Sequence, residues 1–360
     1  MTRLQGIAPA TAAAALAFLL AACGGETGTD QLPREMTVVF VPKITGNAFF
    51  EAANRGAQEF AERNGFKVSY MGSPNAQLAD QTEVLERAIE SSPDAISVSS
   101  LDATALDGIL KRARDKGISV TTWDSDVSGD ARSIMVSQGT PAQLGRMLVE
   151  MSAKGLEKRG RNPATDAIKY VWHYSRPEVT DQNSWRAFGE EYIKSAFPNW
   201  VNLRPENYYS GQDPEKALAV GIEIMESHPD IDLVICNDST SLPGQAEAMK
   251  TLGKGANDLT VTGFASPNAM REYAKIGVVD RWGLWDVKLQ GALACYISFY
   301  LASGNGLVVG QMVDVPEIGL IEVMPNTVLD PAAYTANDSG VVLLPRRTEF
   351  TAENVDDYDF

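Results

Sequence analysis

Apolar positions along this chain come in two alternating rhythms. Residues 36–43 (MTVVFVPK), 94–99 (DAISVS) and 118–123 (ISVTTW) are short, nearly unbroken apolar runs, the density expected of strands covered on both faces. Between them the spacing turns helical: Phe49, Ala52, Ala53, Gly56, Ala57 and Phe60 recur at three- and four-residue intervals over 48–64, and Gly65 is a natural stop. The same reading predicts a strand at 66–70, helices at 80–91 and 103–115, and a strand at 134–136. Thr140-Pro141, a capping residue followed by proline at the first helical position, opens a helix running to about Leu156. The rhythm then restarts, with strands at 167–173, 232–236 and 261–264 and helices at 183–196, 215–226 and 242–251. Ser92-Pro93-Asp94 before one strand is echoed by His228-Pro229-Asp230 before another, a helix-to-strand turn in both halves. The fold class is therefore α/β, two similar halves each with a mostly parallel sheet between helices.

In open α/β sheets a ligand binds beyond the carboxyl ends of the strands. Those ends are polar here. The first run stops at Lys43, ahead of Asn47-Ala48-Phe49-Phe50; the fourth strand stops at Trp123-Asp124-Ser125-Asp126; the second half offers Thr180-Asp181-Gln182-Asn183, Asn237-Asp238-Ser239, Ser266-Pro267-Asn268 and Trp285-Asp286. Carboxylates accept hydroxyl protons in charge-assisted bonds, amides and a lysine donate to the remaining lone pairs, and aromatic faces cover C–H patches. That set suits a neutral polyhydroxylated ligand. A phosphate or carboxylate would call for arginines or a glycine-rich loop, which these positions lack. Each residue also has a plainer reading: Trp123 and Trp285 as core, the Asp and Asn residues as caps or turns, Lys43 as a solvated strand end. The weight lies in their convergence.

Charge and composition narrow the class. Asp and Glu number 47 against 31 Lys and Arg, a formal net charge of −16 that repels nucleic acid. Three cysteines and two histidines cannot build a Cys/His metal cluster or a disulfide framework, so no metal or other cofactor is expected. Cys236 and Cys295 sit in apolar runs and read as buried free thiols; His173 has no nucleophile-elbow partner.

The first residues follow a different pattern. Arg3, an apolar run over 8–20 and Leu20-Ala21-Ala22-Cys23 read as a lipoprotein signal peptide (1–22) with Cys23 as the lipidated first residue of the mature chain. Residues 23–35 then form a flexible tether.

Phe40-Val41-Pro42-Lys43, Thr122-Trp123-Asp124-Ser125-Asp126, Ser137-Gln138-Gly139-Thr140-Pro141, Val179-Thr180-Asp181-Gln182-Asn183 and Gly283-Leu284-Trp285-Asp286-Val287, together with Val341-Val342-Leu343-Leu344-Pro345 and Tyr358-Asp359-Phe360, closely resemble the autoinducer-2-binding proteins. These belong to the periplasmic sugar-binding proteins of ABC importers, with rhamnose- and ribose-binding relatives. The resemblance implies two Rossmann-like lobes of the type I periplasmic-binding-protein kind, joined by a three-stranded hinge. It places 36–139 plus 267–302 in the N-terminal lobe and 140–266 plus 303–360 in the C-terminal one, the chain leaving the second lobe near Ser266. It implies that Lys43, Asp124, Asp181 and Gln182 hold a cyclic, hydrated ligand. Where the family has a Pro-Asp-Ala stretch this chain has Asn237-Asp238-Ser239, adding side-chain donors and volume. The ligand set expected is Lys43, Phe50, Trp123, Asp124, Asp181, Gln182, Asn237, Ser239, Trp285 and Asp286.

The function these features imply is a non-catalytic, monomeric, lipid-anchored binding protein in the periplasm or on the outer face of the cytoplasmic membrane. It would take autoinducer-2 or a similar small sugar and deliver it to ABC permease subunits. Two other classes compete with this reading. A transcription regulator on such a fold needs an N-terminal DNA-reading helix pair, which the residues before Met36 lack. A secreted carbohydrate-active hydrolase would use Asp124, Asp181 and Asp286 as acid and base.

Overall fold

The computed structural model describes residues 35–330 and 339–360. The predicted signal peptide, Cys23 and all of the tether but Glu35 lie outside these residues. The chain opens as three successive strand–helix units: β1 (Thr37–Val41), α1 (Ala48–Asn64), β2 (Lys67–Tyr70), α2 (Leu78–Glu90), β3 (Ala95–Val98) and α3 (Asp107–Asp115). Strands β4 (Ser119–Trp123) and β5 (Ile134–Ser137) complete the run. α3 starts four residues later than the spacing suggested, because the Asp102 carboxylate binds the Thr104 and Ala105 amides and holds 102–105 as a turn.

The second half begins with α4 (Pro141–Lys158), whose Thr140–Gln143 capping box matches the sequence signal. It continues through β6 (Lys169–Tyr174), α5 (Thr180–Ala196), two short strands β7 (Val201–Asn202) and β8 (Tyr208–Tyr209), α6 (Pro214–Ser227), β9 (Leu233–Cys236), α7 (Ser241–Thr251) and β10 (Thr260–Gly263). Then come α8 (Pro267–Lys275), β11 (Arg281–Trp285), α9 (Val287–Ala302), the hairpin β12 (Met312–Val315) and β13 (Gly319–Glu322), and finally β14 (Met324–Pro325), β15 (Gly340–Leu343) and β16 (Arg347–Thr351). Strands β1 to β5 form one parallel sheet and β6 to β10 a second, with β11 and β16 paired antiparallel beside the latter through a Phe264–Gly283 bridge.

Two expected lobe assignments need correction. Residues 303–360 do not run wholly with the second lobe: β15 pairs in parallel with β5, Gly340 opposite Ile134 through Leu343 opposite Ser137, and β14 lies at its far side in the first sheet. Arg132, fully buried and ion-paired with Asp126 at 2.6 Å, donates to the Gly340 carbonyl at 3.0 Å and pins that strand down. Nor does the chain leave the second lobe at Ser266. Ser266 caps α8, which packs on α7, and β11 stays beside β10; only α9 packs on α1 and β4 in the first lobe. The crossings are therefore at Gln138–Thr140, Trp285–Val287 and Leu344–Arg347. They run side by side, with the Leu344 amide bonded to Ser137 O at 2.9 Å and Arg347 Nε to Gln138 O at 2.7 Å.

The first lobe's helix pair depends on two glycines. A Cβ at Gly56 would stand 2.1 Å from Lys288 O, and one at Gly291 2.0 Å from Ala53 O, so α1 and α9 touch backbone to backbone. Gly291→Ala should destabilise the fold by about 1–3 kcal/mol through forced separation of these helices, measured by urea denaturation; an unchanged midpoint would mean the contact is soft.

Candidate ligand-binding site

The carboxyl ends of β1, β4, β9 and β11 and the first turn of α5 face one another across the lobes. Lys43, just past β1, is buried with its Nζ 3.0 Å from Asp124 Oδ2, and it donates a short bond to Ser125 Oγ. Ser99 Oγ donates to Asp124 Oδ2 at 2.7 Å. Ser125 Oγ in turn donates to Asp181 Oδ1 at 2.8 Å, so one hydroxyl joins the first lobe to the second. The other Asp181 oxygen, Oδ2, is buried and has no partner among the described residues. Asp124 has φ of +59°, a left-handed backbone uncommon outside glycine and a form of strain that gathers at functional sites.

α5 starts at Thr180, three residues earlier than predicted, which puts Asp181 and Gln182 in its first helical turn rather than in the preceding loop. Gln182 Oε1 accepts from Ser175 Oγ and its backbone carbonyl from the Tyr174 hydroxyl, leaving the amide nitrogen as the end for a ligand. Past β9, both polar atoms of the Asn237 side chain are buried without a partner among the described residues. A buried amide unsatisfied at both ends costs several kcal/mol in total, on the order of 1–3 kcal/mol per group, and is retained where a ligand completes it. Ser239 reaches the other lobe, its Oγ 3.4 Å from Asn47 Oδ1.

The electrostatics follow from burial. Burial pushes the Asp181 carboxyl up to about 6, against the pull of Lys43 and helped by the like charge of Asp124. Burial by itself would lower Lys43, but Asp124 and Asp181 outweigh it and hold the ammonium above its ordinary range. Asp238 is also raised by burial, against its bonds to the start of α7.

Aromatic rings close the space. Trp285 meets Phe49 edge-on at 5.8 Å, Phe264 at 5.6 Å and Trp185 at 6.1 Å. Lys43, Phe50, Asp124, Gln182, Asn237, Ser239 and Trp285 all line one small cavity of about 30 Å³, room for a water or two. A larger cleft of about 590 Å³ opens on the far side of Asp124, walled by Asp181, Trp185 and Gln138. The unpartnered atoms of Asn237 and Gln212 line the smaller space, Asp181 lines the larger cleft, and Asp124 and Trp185 line both.

Two expected site residues reach neither space, and Asp181 lines the larger cleft but not the smaller cavity. Asp286 is exposed and serves as the N-cap of α9, its Oδ1 accepting from the Leu289 amide at 2.9 Å; it does not line the cavity. Trp123 is fully buried, stacked on Phe40 at 4.4 Å behind Phe49 and Phe50, and backs the wall without reaching the cavity. Asp238 lines the cavity, yet both its oxygens are engaged by the Thr240 and Ser241 amides. Sequence reading missed Gln212, buried with φ of +61° and an unpartnered Oε1 in the cavity wall. It follows the two-residue strand β8, too short to register as a strand end; the only signal was the Ser210-Gly211-Gln212-Asp213-Pro214 turn. Trp185 and Phe264 were likewise missed, and Ser125, named at its strand end, was left out of the expected ligand set. The thiols of Cys236 and Cys295 are buried and raised by that burial. His173 is buried, donates from Nδ1 to Gln245 Oε1 at 3.1 Å, and is lowered to about 4 by desolvation, so it is neutral and lies outside the cavity lining.

Two parallel-sheet lobes, three side-by-side crossings and a buried polar cluster shared between lobes define a hinged solute-binding protein. The chain belongs to the periplasmic binding proteins: the family model for the periplasmic binding protein domain matches residues 38–306. LsrB from Clostridium saccharobutylicum, solved in complex with AI-2, is 56% identical, covering 90% of this chain and 100% of that one with a TM-score of 0.89. An ABC transporter solute-binding protein from Clostridium phytofermentas with bound L-rhamnose shares the fold at 20% identity and a TM-score of 0.79, over 90% of this chain and 98% of that one. The ribose import binding protein RbsB of Bacillus subtilis is 24% identical over 69% of this chain and 77% of its own length.

Proposed function

We propose that this protein is the lipid-anchored, extracytoplasmic solute-binding component of an ABC importer, capturing AI-2 or a closely similar small sugar by hinge closure and presenting it to the permease. The observation that carries the reading is the buried cluster in which Lys43 and Asp124 from one lobe meet Asp181 from the other through Ser125. It assembles only when the lobes meet, so a ligand that takes the place of the Ser125 bridge is gripped by both. Hydroxyls of a cyclic polyol donate to Asp124 and Asp181, Lys43 and Gln182 donate to its oxygens, and Asn237 can do either. Trp285, Phe49 and Phe264 cover its C–H edges. The 56% identity to LsrB, known in complex with AI-2, supports AI-2 over other polyols. The hydrolase alternative is weakened because Asp286 caps a helix away from the cavity.

The deciding test is a calorimetric and thermal-shift panel of AI-2, L-rhamnose, D-ribose and sugar alcohols. A ligand at 100 times its Kd adds about 2.7 kcal/mol of stability. AI-2 recovered unchanged with a clear shift is the expected result; no shift with any member, or consumption of the ligand, overturns the reading. Affinity should also weaken as pH falls through about 6, because Asp181 takes up a proton there and loses acceptor capacity. Titration calorimetry in two buffers of different ionisation enthalpy reads the proton released on binding; pH-independent affinity from 5 to 7.5 would remove Asp181 from the grip. Anchoring rests on Cys23: Cys23→Ser should leave the protein unanchored, and persistent membrane association would contradict it.

A further inference from the structure

Gln138 begins the first crossing and is almost wholly buried. Its backbone carbonyl accepts from Arg347 on the third crossing at 2.7 Å. Its side-chain Oε1 accepts from Gln290 Nε2 at 3.1 Å, and its Nε2 donates to the backbone carbonyl of Asp124 at 3.0 Å. Gln290, also fully buried, spends its second N–H on Val136 O at 3.2 Å and accepts at Oε1 from Trp285 Nε1 at 2.6 Å, at the second crossing.

The direction of this chain is fixed. An indole N–H can only donate, so Gln290 must present its oxygen to Trp285; its nitrogen then faces Val136 and Gln138, and Gln138 must turn its own nitrogen to Asp124. Backbone carbonyls, which only accept, close both branches. No member can flip without leaving buried groups unpaired. The far end of the chain is the carbonyl of Asp124, whose left-handed backbone needs holding in place.

We propose that Gln138 and Gln290 are positioning residues for ligand binding: this buried amide pair ties all three hinge crossings to Asp124 and Trp285, so hinge rotation and the grip on the ligand change together. Neither glutamine lines the 30 Å³ cavity; Gln138 walls the larger cleft beside Asp124, and the pair acts on the cavity through Asp124 and Trp285, which line it. The ligand-binding part of the claim rests on the functional reading above.

The test uses the full chain with AI-2 as probe. Gln290→Met and Gln138→Met each remove one amide of the pair at similar length. Each should weaken AI-2 binding by about tenfold, the loss from one mispositioned hydrogen bond to a charged group. The double variant should be no weaker than the worse single, because one broken link already disables the chain. Losses that multiply to a hundredfold, or wild-type affinity in Gln138→Met, overturn the proposal. Gln138→Glu is the rescue variant: burial favours its protonated carboxyl, in which one oxygen still accepts from Gln290 and the O–H donates to the Asp124 carbonyl, so it should bind AI-2 more tightly than Gln138→Met. A ligand-free arm separates this claim from the function. The ¹⁵N indole resonance that vanishes in Trp285→Phe should move in Gln138→Met, two links away, and stay in Gln138→Glu; a resonance unmoved in Gln138→Met overturns the coupling. Failure of the wild type to bind AI-2 sinks the functional reading alone.

Discussion

Asp181→Asn should abolish useful ligand binding while leaving the fold as stable as before or more so. The carboxylate stands in the first turn of α5 with one oxygen on Ser125 and the other unpaired, ready for a hydroxyl. Asparagine keeps the shape and the bond to Ser125 but replaces a charged acceptor, at a cost of about 2–4 kcal/mol in binding, or roughly 30- to 1000-fold in Kd. Stability moves the other way. Because the folded-state pKa is raised from 3.8 to about 6, the native protein holds this proton more tightly than the unfolded chain, and stability declines as pH climbs from about 4 through 6. The neutral amide is free of that penalty at pH 7.5. Titration and scanning calorimetry on one sample check both halves; near wild-type affinity would remove Asp181 from the site, and a large fall in melting temperature would make it structural.

Lys43→Met carries the largest expected effect on stability. The ammonium lies between buried carboxylates, with 2% of its side chain exposed and 8% of that of Asp124. Removing one member of a buried pair leaves an uncompensated charge and costs about 3–5 kcal/mol. Here the loss should depend on pH in an informative direction. Without the cation, nothing offsets the like charge of Asp124 and the burial that raise Asp181, so acidification from pH 7.5 to 5 should restore part of the lost stability by protonating Asp181. Urea unfolding of wild type and variant at both pH values tests this. A deficit of the same size at both would mean that Asp181 does not sense the loss of Lys43.

How much was legible in advance depended on the range of the interaction involved. Thr140-Pro141 announced α4 because a cap and its helix lie within four residues, and the capping box is present. The start of α5 was misplaced: Val179 makes no side-chain cap, so nothing local announced the helix. Asp124 and Asp286 looked alike as acids after a Trp at a strand end. Asp286 is followed at once by α9, whose Leu289 amide claims its carboxylate, whereas Asp124 enters a left-handed turn that leaves its carboxylate to Lys43 and Ser99. Gln212 escaped notice because β8 is two residues long.

The sequence by itself determined the alternation of strands and helices, the polar character of the strand ends, and the near absence of cations among them. These follow from residue type and spacing over a few positions, where chain periodicity and capping act. Tertiary structure alone decided which strand ends meet, that β15 joins β5 rather than the second lobe, and that Gln138 ties Asp124 to the second and third crossings. Those outcomes depend on pairings between residues far apart in the chain, such as Ser125 with Asp181, Gln138 with Gln290 and Arg132 with Gly340. A four-residue strand or a single amide carries too little local information to name its partner. Only the packed lobes, by making every unpaired buried group costly, select one arrangement.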